Sequence, residues 1–204
     1  MKLHEAESPN ARRVWIFMAE KGIDISRVTV DIRAGENLTP EYRRMNPMGR
    51  VPVLELDDGS FLSESVAICR YLEAQHPEPC LFGAPGLAAA QVEMWNRRAE
   101  FNFGLNAAMA FRNITGFFKD REECMPEWGQ LSAGEARKAL DVFEARLGES
   151  PYLAGEDFSV ADISLGVFYG FSFMVEKLAK IDLELGRPNL TRWYGDLNKR
   201  PSFA

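Results

Sequence analysis

Strand signals stop part-way along this chain, and that asymmetry constrains the fold more than any other feature. Residues 2–6, 28–32, 51–56 and 60–62 read as short strands separated by helical patterns. Beyond the segments His76-Pro77-Glu78-Pro79 and Gly83-Ala84-Pro85-Gly86 the pattern is helical throughout. A chain of 204 residues can hold one large domain or two small ones. A chain of this length buries roughly 70% of its unfolded surface and needs neither disulfides nor metals to fold. The change in signal divides it into a mixed domain over 1–80 and an all-helical domain over 87–204.

In the first part, Ser8-Pro9 reads as an N-cap followed by proline at the first helical position. Ala11, Val14, Phe17 and Met18 recur at helical spacing, and Gly22 ends that helix. Val28, Val30 and Ile32 alternate with Thr29 and Asp31 as a half-buried strand at a sheet edge. A short helix is expected over 39–45. Pro52 cannot donate to a ladder and so opens the next strand. Asp57-Asp58-Gly59 turns a hairpin, and Ser63 caps a helix carrying Val66, Ile68, Cys69 and Leu72. The order is βαβαββα, a four-stranded mixed sheet with helices on its faces. In the second part, residues 87–118 read as one long helix. Ser132-Ala133-Gly134-Glu135 reads as a capping box opening a helix closed by Gly148, and Ser159-Val160-Ala161-Asp162 as a second capping-type start. A last helix is expected over 189–200.

Composition removes several function classes. The net charge of −6 and the absence of a basic stripe argue against nucleic acid as a partner. The nearly apolar stretch 163–175 is far short of the ~20 residues a membrane span needs. The first five residues run into charge, unlike a secretory leader. The three cysteines show no CxxC spacing, and His4 and His76 are too far apart to suggest a metal pair, so no metal site is expected. A reducing, cytoplasmic compartment is the expectation.

Five motifs then carry a family resemblance over essentially the whole chain. Ser8-Pro9-Asn10-Ala11-Arg12-Arg13-Val14 resembles the start of the first helix in serine-type members of the glutathione transferase superfamily. Asn46-Pro47-Met48-Gly49-Arg50-Val51-Pro52-Val53-Leu54 resembles that superfamily's NPxGxVPxL segment, and Leu62-Ser63-Glu64-Ser65-Val66-Ala67-Ile68 its segment ahead of the third helix. Phe158-Ser159-Val160-Ala161-Asp162 matches its helical-domain capping motif, and Arg187-Pro188-Asn189-Leu190 with Trp193-Tyr194 its C-terminal region. The resemblance implies a thioredoxin-like domain followed by an all-helical one, with glutathione as co-substrate, a small apolar electrophile as second substrate and a homodimer as the assembly.

It also implies roles. Glu64 and Ser65, at a helix N-terminus, would take the γ-glutamyl end of glutathione, because free N–H groups and the helix dipole there favour a carboxylate. Val51, before a cis Pro52, would offer backbone groups to the cysteinyl part. Arg50 and Asn37 would approach the glycyl carboxylate. Ser8 would donate a hydrogen bond to the thiolate, with the Asn10 amide or an ordered water as alternatives and Arg12 or Arg13 adding positive field. Phe111, Asn113, Phe117 and Phe118 would line the second-substrate wall; several bacterial relatives carry histidine where Asn113 stands. The same binding motifs serve dehalogenation, isomerisation and peroxide reduction, and the fold also occurs in non-catalytic proteins.

Overall fold

The computed structural model describes all 204 residues, which fall into two compact units, Met1–Cys80 and Leu81–Ala204. The first contains β1 (Lys2–Glu5), α1 (Pro9–Glu20), β2 (Ser26–Thr29), α2 (Pro40–Met45), β3 (Val53–Glu55), β4 (Phe61–Ser63) and α3 (Ser65–Gln75). The sheet order is β2-β1-β3-β4. β1 and β2 are parallel with Leu3 opposite Arg27; the other pairs are antiparallel, Leu3 opposite Leu54 and Leu54 opposite Leu62. Leu3, Val53 and Leu54 of the sheet, Ala11, Val14 and Phe17 of α1, and Ile68, Cys69 and Leu72 of α3 are fully buried. The apolar spacing of both helices aims these side chains at one core.

Two expectations for this unit are corrected. The second strand spans Ser26–Thr29, and all four residues are exposed rather than alternating. Val30 still donates to the Glu5 carbonyl at 2.8 Å, but Asp31 Oδ1 accepts from the N–H groups of Arg33 and Ala34, each at 2.9 Å. That side-chain turn pulls the chain out of the ladder before Ile32 can join it. The third helix is capped by Glu64, not Ser63, and Glu64 stands at φ 71°.

A buried lysine ties the end of α1 to the end of α3. The Lys21 side chain is fully buried; its Nζ lies 2.6 Å from Glu73 Oε2 and donates to the carbonyls of His76 and Pro79, both at 2.6 Å. Three partners match its three protons. Lys21→Met is expected to cost about 3–5 kcal/mol by removing the cation from a buried ion pair and from two backbone carbonyls. Chemical denaturation checks this: Lys21→Met with Glu73→Gln should recover part of the loss, and a single-variant loss below about 1 kcal/mol contradicts the reading.

The second unit is helical: α4 (Leu87–Arg98), α5 (Leu105–Thr115), α6 (Pro126–Glu149), α7 (Val160–Ala179) and α8 (Pro188–Leu197), with a π-helical turn at Ala99–Gly104 between α4 and α5. The long helix expected over 87–118 is therefore interrupted, and it ends at Thr115 on a left-handed Gly116. Gly104 lies in the π turn where a Cβ would come 2.4 Å from the Phe168 ring, so only glycine allows α7 this close. The helix expected to open at Ser132 opens at Pro126 instead, and Ser132 is buried inside it. Pro126 at the first helical position and Glu127 in the first turn are the true start signals. That helix also runs past Gly148 to Glu149.

Ser159 and Asp162 do form a capping box. The Asp162 carboxylate is fully buried and accepts from Leu153 N–H at 3.0 Å, Ser159 N–H at 3.1 Å, Ser159 Oγ at 3.0 Å and Trp193 Nε1 at 3.1 Å. One side chain thus joins α7, α8 and the preceding loop. No helix is long and apolar enough to cross a membrane.

Candidate active site

The N-termini of α1 and α3 come together in the first unit. Ser8 is extended, and its Oγ accepts from Ala11 N–H at 3.3 Å, making it the N-cap of α1. A hydroxyl has one proton and two acceptor positions, so Ser8 can cap the helix and still donate its own proton outward. Asn10 is exposed, and its Oδ1 accepts from Arg13 Nη1 at 3.3 Å. That leaves the Asn10 NH₂ facing away from the guanidinium as a second donor at this end of the helix.

The adjacent arginines part company. Arg12 is exposed and Arg13 fully buried. Arg13 Nη1 donates to Ser65 Oγ at 2.6 Å, a short, charge-assisted contact between helices 52 residues apart in sequence. Ser65 is itself buried and begins α3. The Glu64 carbonyl accepts from Ile68 N–H at 2.9 Å, so the first-turn N–H groups of Ser65, Val66 and Ala67 lack intrahelical partners. Glu64 at φ 71° costs about 1–3 kcal/mol for a non-glycine residue, and strain of this kind concentrates at ligand clamps.

The third component is the loop into β3. The Arg50 carbonyl accepts from Asn46 Nδ2 at 2.8 Å and from Tyr42 Oη at 3.1 Å, while the Gly49 carbonyl accepts from Asn37 Nδ2 at 2.7 Å. Burial, with Glu36 adding to it, pushes the Tyr42 pKa up to about 12, so the phenol stays a donor. Gly49 has φ +60°, and a Cβ there would meet the Asn37 carbonyl at 2.9 Å. The Val51–Pro52 bond is cis, as the resemblance implied. Arg50 keeps its side chain exposed beside it.

This geometry gives Asn37 a further role and adds two residues. Asn37, expected to donate to a carboxylate, spends one of its two amide protons on the Gly49 carbonyl and so also shapes the loop that carries Arg50. Tyr42 and Asn46 carry no role in the sequence-derived reading, and of the two arginines offered as a source of positive field it is Arg13 that is buried. Asn46 was visible only as part of a motif, and nothing local marks Tyr42, whose hydroxyl reaches the Arg50 carbonyl eight residues on.

The residues expected to face a second substrate lie in the helical unit. Phe111 is buried, 5.2 Å from the Phe117 ring and 5.5 Å from Phe171. Phe117 is 40% exposed and stacks edge-on with Phe118 at 4.8 Å, so it is the one of these rings most open to a ligand. Arg112 lies 4.5 Å over Phe118 and pairs with Glu122, which holds the loop in place. Asn113 donates to Met109 O at 3.0 Å and accepts from Met125 N–H at 2.9 Å. Its oxygen braces the residue ahead of α6 while its NH₂ returns to its own helix.

Two helix N-termini bridged by a guanidinium, beside a loop ending in a cis proline, on a small mixed sheet followed by a helical unit, define a glutathione transferase-type scaffold. The sequence model of the glutathione S-transferase N-terminal domain matches residues 7–75, and that of its C-terminal domain residues 126–196. The chain belongs to the glutathione S-transferase superfamily. It is 33% identical over 198 residues to glutathione S-transferase 2 of Saccharomyces cerevisiae, covering 95% of this chain and 83% of that protein. With glutathione S-transferase 3 of Zea mays the identity is 30% over 202 residues, 96% and 87% of the two chains. Among solved structures, a glutathione S-transferase domain-containing protein of Marinobacter aquaeolei superimposes with a TM-score of 0.92 at 33% identity, covering all of both chains. A Gtt2-class glutathione S-transferase of Vibrio parahaemolyticus does so with 0.85 at 40% identity, covering 100% of this chain and 95% of that one.

Proposed function

We propose that this protein is a glutathione transferase that lowers the thiol pKa of bound glutathione and presents the thiolate to a small apolar electrophile. The observation that carries the reading is the joining of the Ser8 and Ser65 helix ends through Arg13. The γ-glutamyl carboxylate of glutathione takes the N–H groups and hydroxyl at the start of α3, where the dipole favours an anion. Val51, with Pro52 fixing the chain behind it, offers its backbone to the cysteinyl part, and Arg50 takes the glycyl carboxylate. The thiol then falls at the start of α1, within reach of Ser8 and, second to it, Asn10.

The chemistry needs little from the protein beyond placement and a hydrogen bond. A free thiol of pKa about 8.5 is mostly protonated at neutral pH, and the thiolate is the nucleophile. Depressing that pKa by ~2 units is worth about 2.7 kcal/mol. Binding supplies proximity to the electrophile. In this reading residues 1–80 bind glutathione and the helical domain supplies the electrophile wall, with Phe117 its exposed ring. A homodimer and a cytoplasmic detoxifying role complete the proposal. The exposed Met94, Phe101 and Leu105 offer apolar surface for the dimer.

The test is conjugation of glutathione to 1-chloro-2,4-dinitrobenzene, followed by the absorbance of the aryl thioether. Saturable turnover with glutathione is expected. Absence of turnover together with absence of glutathione binding at millimolar concentration would overturn the proposal.

A further inference from the structure

Residues 116–125 join α5 to α6 and are fastened back onto α5. Arg112, in the last turn of α5, donates from Nε to Glu122 Oε2 at 2.9 Å and from Nη2 to Glu122 Oε1, a two-pronged contact that fixes the plane of the guanidinium. The two side chains are only 18% and 26% exposed, so water and salt screen this pair less than a surface one. The Arg112 guanidinium lies 4.5 Å from the centre of the Phe118 ring, and that of Arg121 lies 5.8 Å from it. Cations over a ring face are attracted to its electron-rich centre, so Phe118 is held where the ion pair puts it.

Phe118 in turn stands edge-on to Phe117, with 4.8 Å between ring centres and 82° between ring planes. On its other side Phe117 lies 5.2 Å from Phe111, which meets Phe171 of α7 at 5.5 Å. The Phe117 N–H donates to Thr115 Oγ1 at 3.2 Å, so its backbone is tied to the end of α5 as well. The ring is thus set at a fixed angle while 40% of the residue stays open. A ring held at a set angle selects differently from an aliphatic side chain. Its face is electron-rich and its edge electron-poor, so it favours an electron-poor ring laid offset on it, and that gain depends on the angle. An alkyl chain gains from buried area alone, whichever way the ring stands.

We propose that Arg112 and Glu122 are positioning residues that set the angle of the Phe117 ring through Phe118, and so bias the second-substrate wall toward planar, electron-poor aromatic electrophiles over alkyl ones. The inference rests on the reading above in which Phe117 belongs to that wall. It names the class of electrophile the wall takes.

The experiment measures the dissociation constants of S-(2,4-dinitrophenyl)glutathione and S-hexylglutathione by calorimetry. Both carry the same tripeptide, so the ratio of their affinities cancels any change in glutathione binding and reports only the group on sulfur. The proteins are the wild type, Phe117→Leu, Phe117→Tyr, Glu122→Gln and Glu122→Gln/Phe117→Leu, with thermal melts to establish that each is folded. The aryl-to-hexyl affinity ratio should fall about 3–10-fold in Phe117→Leu, the scale of one aromatic pair, and by a similar or smaller factor in Glu122→Gln. Phe117→Tyr should keep the wild-type ratio. Adding Glu122→Gln to Phe117→Leu should lower it no further, because the pair acts only through the ring. A ratio within twofold of the wild type in Glu122→Gln, beside a fall in Phe117→Leu, would overturn the proposal and leave the glutathione reading intact. A full further loss in the double variant would do the same. A ratio that Phe117→Leu leaves unchanged would remove Phe117 from the wall and overturn the proposal with it. If Glu122→Gln does not fold, Arg112→Lys, which keeps the charge and loses the fork, decides: an unchanged ratio overturns the proposal. Failure of the wild type to bind either ligand would remove the glutathione reading itself, and this inference with it.

Discussion

Asp162→Ala should cost more stability than any other single substitution at a polar residue of this chain. The change removes one carboxylate and leaves four donors facing its place: the N–H groups of Leu153 and Ser159, the Ser159 hydroxyl and the Trp193 indole. Each buried donor left unsatisfied costs about 1–3 kcal/mol, so a total above about 4 kcal/mol is expected, in the range that single mutations rarely reach. Asp162→Asn keeps one acceptor oxygen and should fall between. Equilibrium denaturation reads both, and an alanine variant as stable as the asparagine one would contradict this account of the box.

The same carboxyl has a pH signature. Burial pushes its pKa up to about 6 from an ordinary 3.8, while the four donors pull in the opposite direction. The folded state thus holds this proton more tightly than the unfolded chain does. Its contribution to stability is complete below pH 4 and is lost as pH rises through 6. The stability difference between wild type and Asp162→Asn should therefore shift against the wild type across that window. A difference that grows with pH would contradict the sign.

Ser8→Ala carries the second large effect. With the hydroxyl gone, the bound thiol should return toward its free pKa, a rise of ~2 units, and kcat/KM at pH 7 should fall about 25-fold with the thiolate fraction. Loss of the N-cap should also cost about 1 kcal/mol of stability, measurable separately in a melt. Asn10→Ala should cost only a few-fold, since its amide stands second in line. A larger loss from Asn10→Ala than from Ser8→Ala would transfer the donor role to Asn10. Turnover unchanged beyond a few-fold in both would remove the catalytic assignment from this helix end.

The sequence made the repetitive elements readable and left the tertiary contacts unreadable, for physical reasons. The first helix declares itself by Ser8-Pro9 and its apolar spacing, and the box at Ser159 and Asp162 by a local pattern that the fold uses as written. The similar pattern at Ser132 and Glu135 misleads, because a helix already begun at Pro126 runs through it. The expected strand at 28–32 is cut short by Asp31, whose side chain offers the backbone an alternative to the ladder.

In the candidate site, Ser8, Asn10, Glu64, Ser65 and the Val51–Pro52 step are legible as local motifs. Arg13 is legible only in part: the pair Arg12-Arg13 reads as a source of positive field, and only Ser65, 52 residues on, shows which of the two turns inward. Lys21 is hidden in the same way by partners in the chain segment around residues 73–79. Asn37 shows a second role that its motif does not reveal, one amide proton bracing the Gly49 carbonyl.

The most direct test of the central claim is an ultraviolet titration of the thiolate absorbance of glutathione bound to the purified protein, against protein alone and glutathione alone. The account predicts a bound thiol titrating about 2 units below its free value of about 8.5, with the shift abolished in Ser8→Ala. Glutathione that binds with an unshifted thiol would contradict it.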